Sequence, residues 1–430
     1  MTRKRNINLL TACLCLSTNI YAAEVDYSAG VSLAQYDNVN LIPNPTQKET
    51  SVTLRGALSV VEDTATYSTN IDARARLINY TNDIAPDQNT GDMVANLLWK
   101  IDPGRFEWYL DDVFTQSAID TLASNSPANR QNVNILSTGP DYTIRFDATN
   151  NLIFQFRVER YNYEINRDNN RASAAIIWSK QLNSRLNVSL NDYAEKVKFD
   201  DSVFNNNFQR NDIFLAVSYI SGMNTLDAQY GTTKVINDIY NDSDYDRYLL
   251  AINRASTRTS NIRLSFENIA TDTGSQILQT GPGISAGSAT SGSGITSSSN
   301  DIYVDKTYRA QYNTAYSSGS YAIDLFTRDR NYMRQNNLDA KTTGAALTGI
   351  WNLATRDSVR YGLTYLNTLY LDPAYNREDD DYYYVISYDH RLRRTLRMGF
   401  SVRYSERNSI DSNFDYEDIT YIFNLDYTSE

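Results

Sequence analysis

The stretch LLWKIDPGRFEWYL, residues 97–110, has the pattern of a tight β-hairpin. Apolar and polar side chains alternate on both sides of a turn at Asp102-Pro103-Gly104, which fits the two-residue period of a β-strand. Trp99 and Trp108 flank the turn on the more apolar face. Large aromatics beside a polar turn are typical of strands that end at a membrane–water interface.

The same alternation recurs along the whole chain, in about 20 runs of roughly 9 to 14 residues, from a first run at 25–35 to a last run at 416–427. Helical spacing fits these runs poorly. Short connections alternate with long ones. The short ones include 61–63, 102–104, 147–151, 182–184, 221–223, 317–319 and 355–358. The long ones are 36–50, 79–91, 115–140, 199–209, 236–244, 270–301, 333–340, 372–379 and 406–416.

These patterns predict an all-β fold: a single transmembrane up-and-down antiparallel β-barrel of about 18–20 strands over residues 24–430, with short periplasmic turns and long extracellular loops. The segment 115–140 leaves the strand number open. A soluble propeller or solenoid is the alternative, but such folds show a repeat of fixed period, and we find none. The Gly- and Ser-rich stretch within 270–301 predicts a mobile loop.

Residues 1–23 have the pattern of a secretory signal peptide, with a basic start at Arg3, Lys4 and Arg5, a short apolar core and small residues near Ala23. A lipid-modified Cys13 in the motif LTAC is the alternative. Cleavage would remove both cysteines, so we expect no disulfide and no cysteine metal site. It would also change the formal net charge from -11 to -14, with 37 basic and 51 acidic residues. An acidic exported protein is not expected to bind nucleic acid.

All four tryptophans lie beside predicted short turns. We therefore predict a periplasmic aromatic girdle made of Trp99, Trp108, Trp178 and Trp351. Tyrosines are frequent at the opposite strand ends, which predicts a second girdle that includes Tyr80, Tyr161, Tyr163, Tyr303 and Tyr370. A general preference of aromatics for strands is the competing explanation.

The polar face of the strands predicts the lining of a pore. The candidate pore-lining residues are Asp72, Arg74, Arg76, Glu107, Arg157, Glu159, Arg263, Arg328, Arg360, Arg397 and Arg403, with Asp111, Gln155, Glu267 and Asp324 in similar positions. Charged rings can set the selectivity of a channel. Alternatively, these charges pair across neighbouring strands and stiffen the wall. A wall of mixed charge suits neutral or weakly charged polar solutes.

The sequence offers little for catalysis, so we expect no enzymatic activity, no cofactor and no metal site. The single histidine, His390, lies beside a short turn, and no serine-hydrolase or zinc-protease motif is present. The acidic runs 240–247 and 376–384 match no calcium loop, and we interpret them as solvated loop charge.

The segment 99–164 resembles a family of outer-membrane β-barrels associated with bacterial exopolysaccharide and PEP-CTERM sorting loci. The resemblance lies in a strand with aspartates, an asparagine-rich segment and the turn TGPD, at Trp108, Asp111, Asp112, Pro127, Asn129, Asn132, Asn134, Gly139, Pro140 and Asp141. The early residues Tyr36, Asp37 and Asn38 also resemble that family. This resemblance implies an outer-membrane protein linked to polysaccharide export.

Two functions follow as hypotheses. The first is a porin-like channel that passes a polar solute or takes part in exopolysaccharide export. The second is a non-conducting structural or assembly barrel that binds other envelope proteins. The expected partners are outer-membrane lipid and lipopolysaccharide, with polysaccharide or periplasmic export proteins as further candidates. The sequence sets no oligomeric state.

Overall fold

The computed structural model describes residues 23–45, 47–200, 207–238, 241–280, 301–374 and 376–429. The predicted signal peptide at 1–23, with Cys13 and Cys15, lies outside these residues except for Ala23. The described strands are β1 Glu24–Tyr36, β2 Glu49–Asp63, β3 Tyr67–Tyr80, β4 Gln88–Asp102, β5 Phe106–Ala118, β6 Arg130–Asp147, β7 Asn150–Tyr163, β8 Asn169–Asn183, β9 Leu186–Phe199, β10 Phe208–Ser221, β11 Asn224–Asn237, β12 Ser243–Ala255, β13 Ser260–Asp272, β14 Ile302–Tyr316, β15 Gly319–Tyr332, β16 Ala340–Asn352, β17 Asp357–Tyr370, β18 Glu378–Arg391, β19 Leu396–Ser409 and β20 Tyr416–Thr428.

One α-helix of the described chain, α1 (Thr273–Thr280), follows β13 directly. Short 3-10 helices occupy Pro127–Asn129, Asn336–Leu338 and Ser412–Phe414. No helix among the described residues is long and apolar enough to cross a membrane.

The strands form one closed antiparallel barrel. Each strand pairs with the next along the chain, and β1 also pairs with β20, from Ser28 opposite Thr428 to Tyr36 opposite Thr420. Closure gives every strand two neighbours, so no sheet edge remains open along the wall. The prediction of an all-β up-and-down barrel is confirmed, and the strand number is 20.

The two ends of the barrel differ. At one end, here called the turn end, the strands are joined by connections of two to four residues, and β1 begins and β20 ends there. At the other end, here called the loop end, the connections have five residues or more. The ambiguous segment 115–140 divides into the end of β5, a loop at 119–129 and the start of β6. The turn predicted at 61–63 was misplaced, because β2 continues to Asp63 and the chain turns at 64–66.

The hairpin 97–110 forms as the sequence predicts. Trp99 lies opposite Trp108, and Lys100 lies opposite Glu107 on the other face. Gly104 takes a φ of 71°, a left-handed conformation that favours glycine. The Glu107 carboxylate accepts a hydrogen bond from the Gly104 amide at 2.9 Å, which closes the turn.

The two faces of the wall are opposite in character. One face carries exposed apolar side chains such as Leu54, Leu215 and Phe400. The other carries polar side chains that contact residues of non-adjacent strands, as Arg171 of β8 contacts Asp272 of β13. Such contacts are possible only across the interior, so the polar face is the inner one. An apolar exterior around a polar lumen is the arrangement of a membrane barrel.

Candidate functional site

The wall opens into a fork between β12 and β13 at the loop end. The ladder between these strands begins at Tyr248 opposite Asn268, whereas β12 pairs with β11 as far as Ser243. Residues 269–272 therefore pair only with β14. Freed from β12, the ends of β13 and β14 lean into the barrel, where Ala270 and Ile302 join a buried apolar cluster with Val197, Phe208 and Val235.

A buried ion-pair network fixes the end of β13 to the inner face of β8–β10. The Arg171 guanidinium donates to the Asp272 carboxylate at 2.6 and 3.0 Å and to Glu195 at 3.2 Å. It also donates to the Ser275 hydroxyl at 3.1 Å, and Arg210 contacts the other Glu195 oxygen at 3.2 Å. All of these side chains are buried. Removing one partner of such a pair leaves an uncompensated buried charge, which is strongly destabilising.

Helix α1 continues from this network and packs on the inner wall. Ile277 is buried in a cluster with Val113, Ile135 and Tyr161, whose strands β5–β7 lie far from β13 around the barrel. Gly274 permits the approach, because a Cβ there would meet Arg171 Nη2 at 2.5 Å and the Tyr161 ring at 2.7 Å. The Arg171 guanidinium also lies 4.0 Å from the centre of the Tyr161 ring, a favourable cation–π distance.

The other side of α1 contacts the facing wall. Gln276 donates to the Asp305 carboxylate of β14 at 3.1 Å and accepts a hydrogen bond from Arg330 of β15 at 3.3 Å. Arg330 also lies over the Tyr303 ring. One short helix therefore joins the β5–β8 wall to the β14–β15 wall and crosses the lumen near its loop end.

The loop 119–129 makes a second crossing. The carbonyl of Leu122 accepts a hydrogen bond at 2.7 Å from Arg377, which precedes β18. Arg377 is itself buried, paired with Asp379 at 2.6 Å and stacked 3.4 Å from the Phe414 ring centre. The mouth of the barrel is therefore spanned from β5–β6 to β17–β18 as well. On the turn side of α1, a cavity of about 190 Å³ lies against Arg309, Gln311 and Asp324.

The candidate pore-lining residues all lie on the inner face, by strand alternation and ladder position. Many are paired within the wall: Arg76 with Asp92, Arg157 with Asp141, Arg328 with Asp305, Arg360 with Asp389, and Arg74 more loosely with Asp72. Glu159 accepts from the Tyr161 hydroxyl at 3.0 Å, and Glu107 holds the turn described above. Arg263, Arg397 and Arg403 are exposed to the lumen and make no ion pair among the described residues. A role of these residues in transport stays a prediction.

The tryptophans predicted to form a girdle lie on the outer face, near the turn end of their strands. Their exposed fractions are 56% for Trp99, 39% for Trp108, 38% for Trp178 and 54% for Trp351. The tyrosine prediction was wrong in part. Tyr80, Tyr161, Tyr163 and Tyr303 are buried and point inward at the loop end, where Tyr161 and Tyr163 pack in one cluster with Ile277 of α1.

The interpretation of 376–384 as solvated charge was also wrong for its inward residues. Asp379 and Asp381 are buried on the inner face of β18 and pair with Arg377 and Arg407. Alternation hides every second residue of an acidic run that begins a strand. Among the described residues, no three His, Cys, Asp or Glu side chains are grouped so as to hold a metal ion.

His390 lies at the turn end on the outer face, with its Nδ1 atom 2.7 Å from the Asp357 carboxylate. Tyr388 donates to the same carboxylate at 2.5 Å. Asp389, the preceding residue of β18, faces inward and pairs with Arg360, because consecutive strand residues point to opposite faces. The expectation of no enzymatic activity stays a prediction.

The contacts that cross the lumen were not visible in the sequence. Alternation places Arg171 on the polar face of β8, but its partner Asp272 is 101 residues away. The segment 270–301 was predicted to be a mobile loop, yet its residues 273–280 form α1; residues 281–300 lie outside the described chain. The apolar pair Ile277 and Leu278 in a polar, Gly- and Ser-rich stretch is a sequence signal for burial, and Ile277 is indeed buried.

No protein-family model and no curated protein matches the sequence. Solved structures share the fold. A mutant of the ferric enterobactin receptor PfeA from Pseudomonas aeruginosa aligns with a TM-score of 0.50 at 9% identity, over 95% of this chain and 81% of the receptor. A second PfeA mutant gives 0.50 at 10% identity over 95% and 81%. The FrpB iron transporter from Neisseria meningitidis gives 0.47 at 9% identity over 94% and 81%. At these identities the likeness to the two PfeA structures establishes the fold, a barrel of the outer-membrane type, and no more.

Proposed function

We propose that this protein is an outer-membrane transport barrel whose lumen is held closed at the loop end by α1. The turn end would face the periplasm and the loop end the exterior, as is usual for such barrels. The observation that carries the proposal is the double attachment of α1: to Arg171 and Tyr161 on one wall and to Asp305 and Arg330 on the other.

The occupied lumen favours a gated transporter over an open, porin-like pore. A water-filled barrel of this width conducts unless something fills it. The crossing contacts are ion pairs and hydrogen bonds, which a charged or polar solute can replace. The PfeA structures are of a ferric enterobactin receptor, and their likeness in fold supports solute uptake as the direction of transport. Their identity to this chain is too low to transfer a ligand, so the cargo is proposed only as a polar solute.

The same crossings also support the second candidate, a non-conducting structural barrel. In that case α1 and the loop 119–129 would stay in the lumen permanently and would not move to admit a solute. A link to exopolysaccharide export rests only on the resemblance in residues 99–164, and stays a prediction.

Electrical recording in planar bilayers separates the two candidates. The Arg171→Ala variant leaves the carboxylates of Asp272 and Glu195 buried without their shared cation. We expect it to raise the open probability by about tenfold or more over the wild type, because breaking a buried pair costs several kcal/mol. The matched control is Arg157→Ala, which breaks the wall pair with Asp141 and leaves α1 untouched.

The proposal fails if the folded Arg171→Ala barrel conducts no more than the Arg157→Ala control. Absence of conductance in all three proteins would favour the structural barrel. The heat-dependent gel mobility of each preparation shows that the barrel is folded before recording begins.

A further inference from the structure

Three lysines form a patch on the outer face of the barrel. Lys196 and Lys198 lie on β9, and Lys234 lies on β11. Their positions alternate with the inward residues Glu195, Val197 and Val235, so all three point outward. All three are exposed. The sequence contains nine lysines and carries a formal net charge of -11, so these three lie together in a chain that is acidic as a whole.

The strand between them supplies neutral polar groups. On β10, Gln209 lies opposite Lys196, and Asn211 lies opposite Lys234. From strand spacing and rise, the Cα atoms of Lys196 and Lys234 are about 12 Å apart, which their long side chains can bridge. Lys234 lies 3.6 Å from Asp242 in a solvent-exposed pair, and the exposed Asp244 of β12 lies opposite Lys234 on the same outer face. Lys196 and Lys198 have no ion-pair partner among the residues that the structure describes.

The patch lies between the apolar zone of the outer face and the loop end of the barrel. Leu190 of β9 and both Ile213 and Leu215 of β10 are exposed on the same outer face, nearer the turn end. Asp192 of β9 lies in that apolar zone, opposite Ile176 and Ile213. On the loop side of Lys198, the exposed Asp200 is paired with Arg160 at 2.7 Å. The lysine ammonium groups therefore sit just beyond the hydrocarbon, where lipid headgroups lie, with their methylene stems over apolar surface.

We infer that Lys196, Lys198 and Lys234 bind the phosphate groups of a phosphorylated glycolipid in the outer leaflet. The chemistry is that of ammonium donors with amide neighbours facing a headgroup that carries phosphate and sugar hydroxyls. The inference rests on the orientation in the proposed function, which puts the loop end at the exterior. It assigns a specific surface, since no other part of the described outer face carries three lysines on neighbouring strands.

Native mass spectrometry of the purified barrel tests the inference. The probes are bis-phosphorylated lipid A and the same lipid after enzymatic removal of its phosphates. The patch variant is Lys196→Gln with Lys198→Gln and Lys234→Gln. The control is Lys180→Gln with Lys306→Gln and Lys341→Gln, which makes the same charge change elsewhere on the outer face. We expect the patch variant to bind phosphorylated lipid A at least about tenfold more weakly than the wild type, and the control to change by no more than about twofold.

Equal binding of phosphorylated lipid A by the wild type and the patch variant would overturn the inference. So would an equal loss in both variants, or the same loss with dephosphorylated lipid, because either shows that the patch does not recognise phosphate. The measurement uses detergent-solubilised protein and needs no conductance. A barrel that binds lipid A through the patch but never conducts would therefore reject only the proposed function.

Discussion

The inner and outer faces of this barrel use different cations. Outside, the strand lysines are Lys180, Lys196, Lys198, Lys234, Lys306 and Lys341. Inside, arginine dominates, and Lys100 is the one inward lysine on the described strands. The planar guanidinium can meet two carboxylate oxygens at once, as Arg309 does with Asp324. Lysine has a flexible stem and a compact charge, which suits a lipid headgroup. The two faces thus differ in the geometry of their charges as well as in polarity.

The largest expected effect comes from substituting, one at a time, two neighbouring residues that lie on opposite faces. Leu264 is exposed on the outer face in the middle of β13, and Arg263 faces the lumen. We expect Leu264→Arg to reduce the free energy of unfolding by about 2–4 kcal/mol, because the charge enters hydrocarbon. Arg263→Leu should change it by less than about 1 kcal/mol. Urea titration of the barrel in lipid vesicles, followed by tryptophan fluorescence, measures both. Equal effects would contradict the assignment of faces.

A smaller effect is expected where α1 packs on the inner wall. Gly274→Val places a side chain where even a Cβ would meet Arg171 and Tyr161 within 2.7 Å. The overpacking should cost about 1–3 kcal/mol and loosen α1 from the wall. Residues 24–430 contain no cysteine, so Ile135→Cys gives a single reporter beneath Ile277. A thiol reagent should modify Cys at this position faster in the Gly274→Val background. Unchanged labelling would show that α1 tolerates the substitution in place.

The smallest expected effect comes from replacing arginine by lysine inside the barrel and lysine by arginine outside it. Arg309→Lys keeps the charge but loses the two-nitrogen contact with Asp324, so it should reduce stability by about 1 kcal/mol. The converse Lys196→Arg on the outer face should change stability by less than about 0.5 kcal/mol. Both are measured by the same urea titration. If Arg309→Lys also leaves the free energy of unfolding unchanged, the two-nitrogen contact with Asp324 does not stabilise the wall, and the role of Arg309 would be contact with solute instead of pairing.

Much of the wall could be predicted from the sequence, because strand alternation is local information. The hairpin at Trp99 and Trp108, the outward tryptophans and the inward side of Arg76 or Arg157 all follow from the two-residue period. The crossing of the lumen by α1 could not be predicted. It depends on Arg171 meeting Asp272 and on Ile277 finding a pocket between Val113 and Tyr161, and such contacts between distant segments leave no periodic trace.

The fork between β12 and β13 lowers the local stability of the wall. Their ladder joins eight residue pairs, fewer than the nine that join β1 to β20 where the chain closes on itself. Residues 243–247 of β12 are bonded to β11 alone, apart from the Asn268 side chain that donates to the Asp246 carbonyl at 2.6 Å. Amide hydrogens of β13 at 269–272 have one neighbouring strand instead of two. Deuterium should therefore enter the ladder between β12 and β13 before it enters the terminal seam, and mechanical unzipping should begin at this ladder and not at the seam.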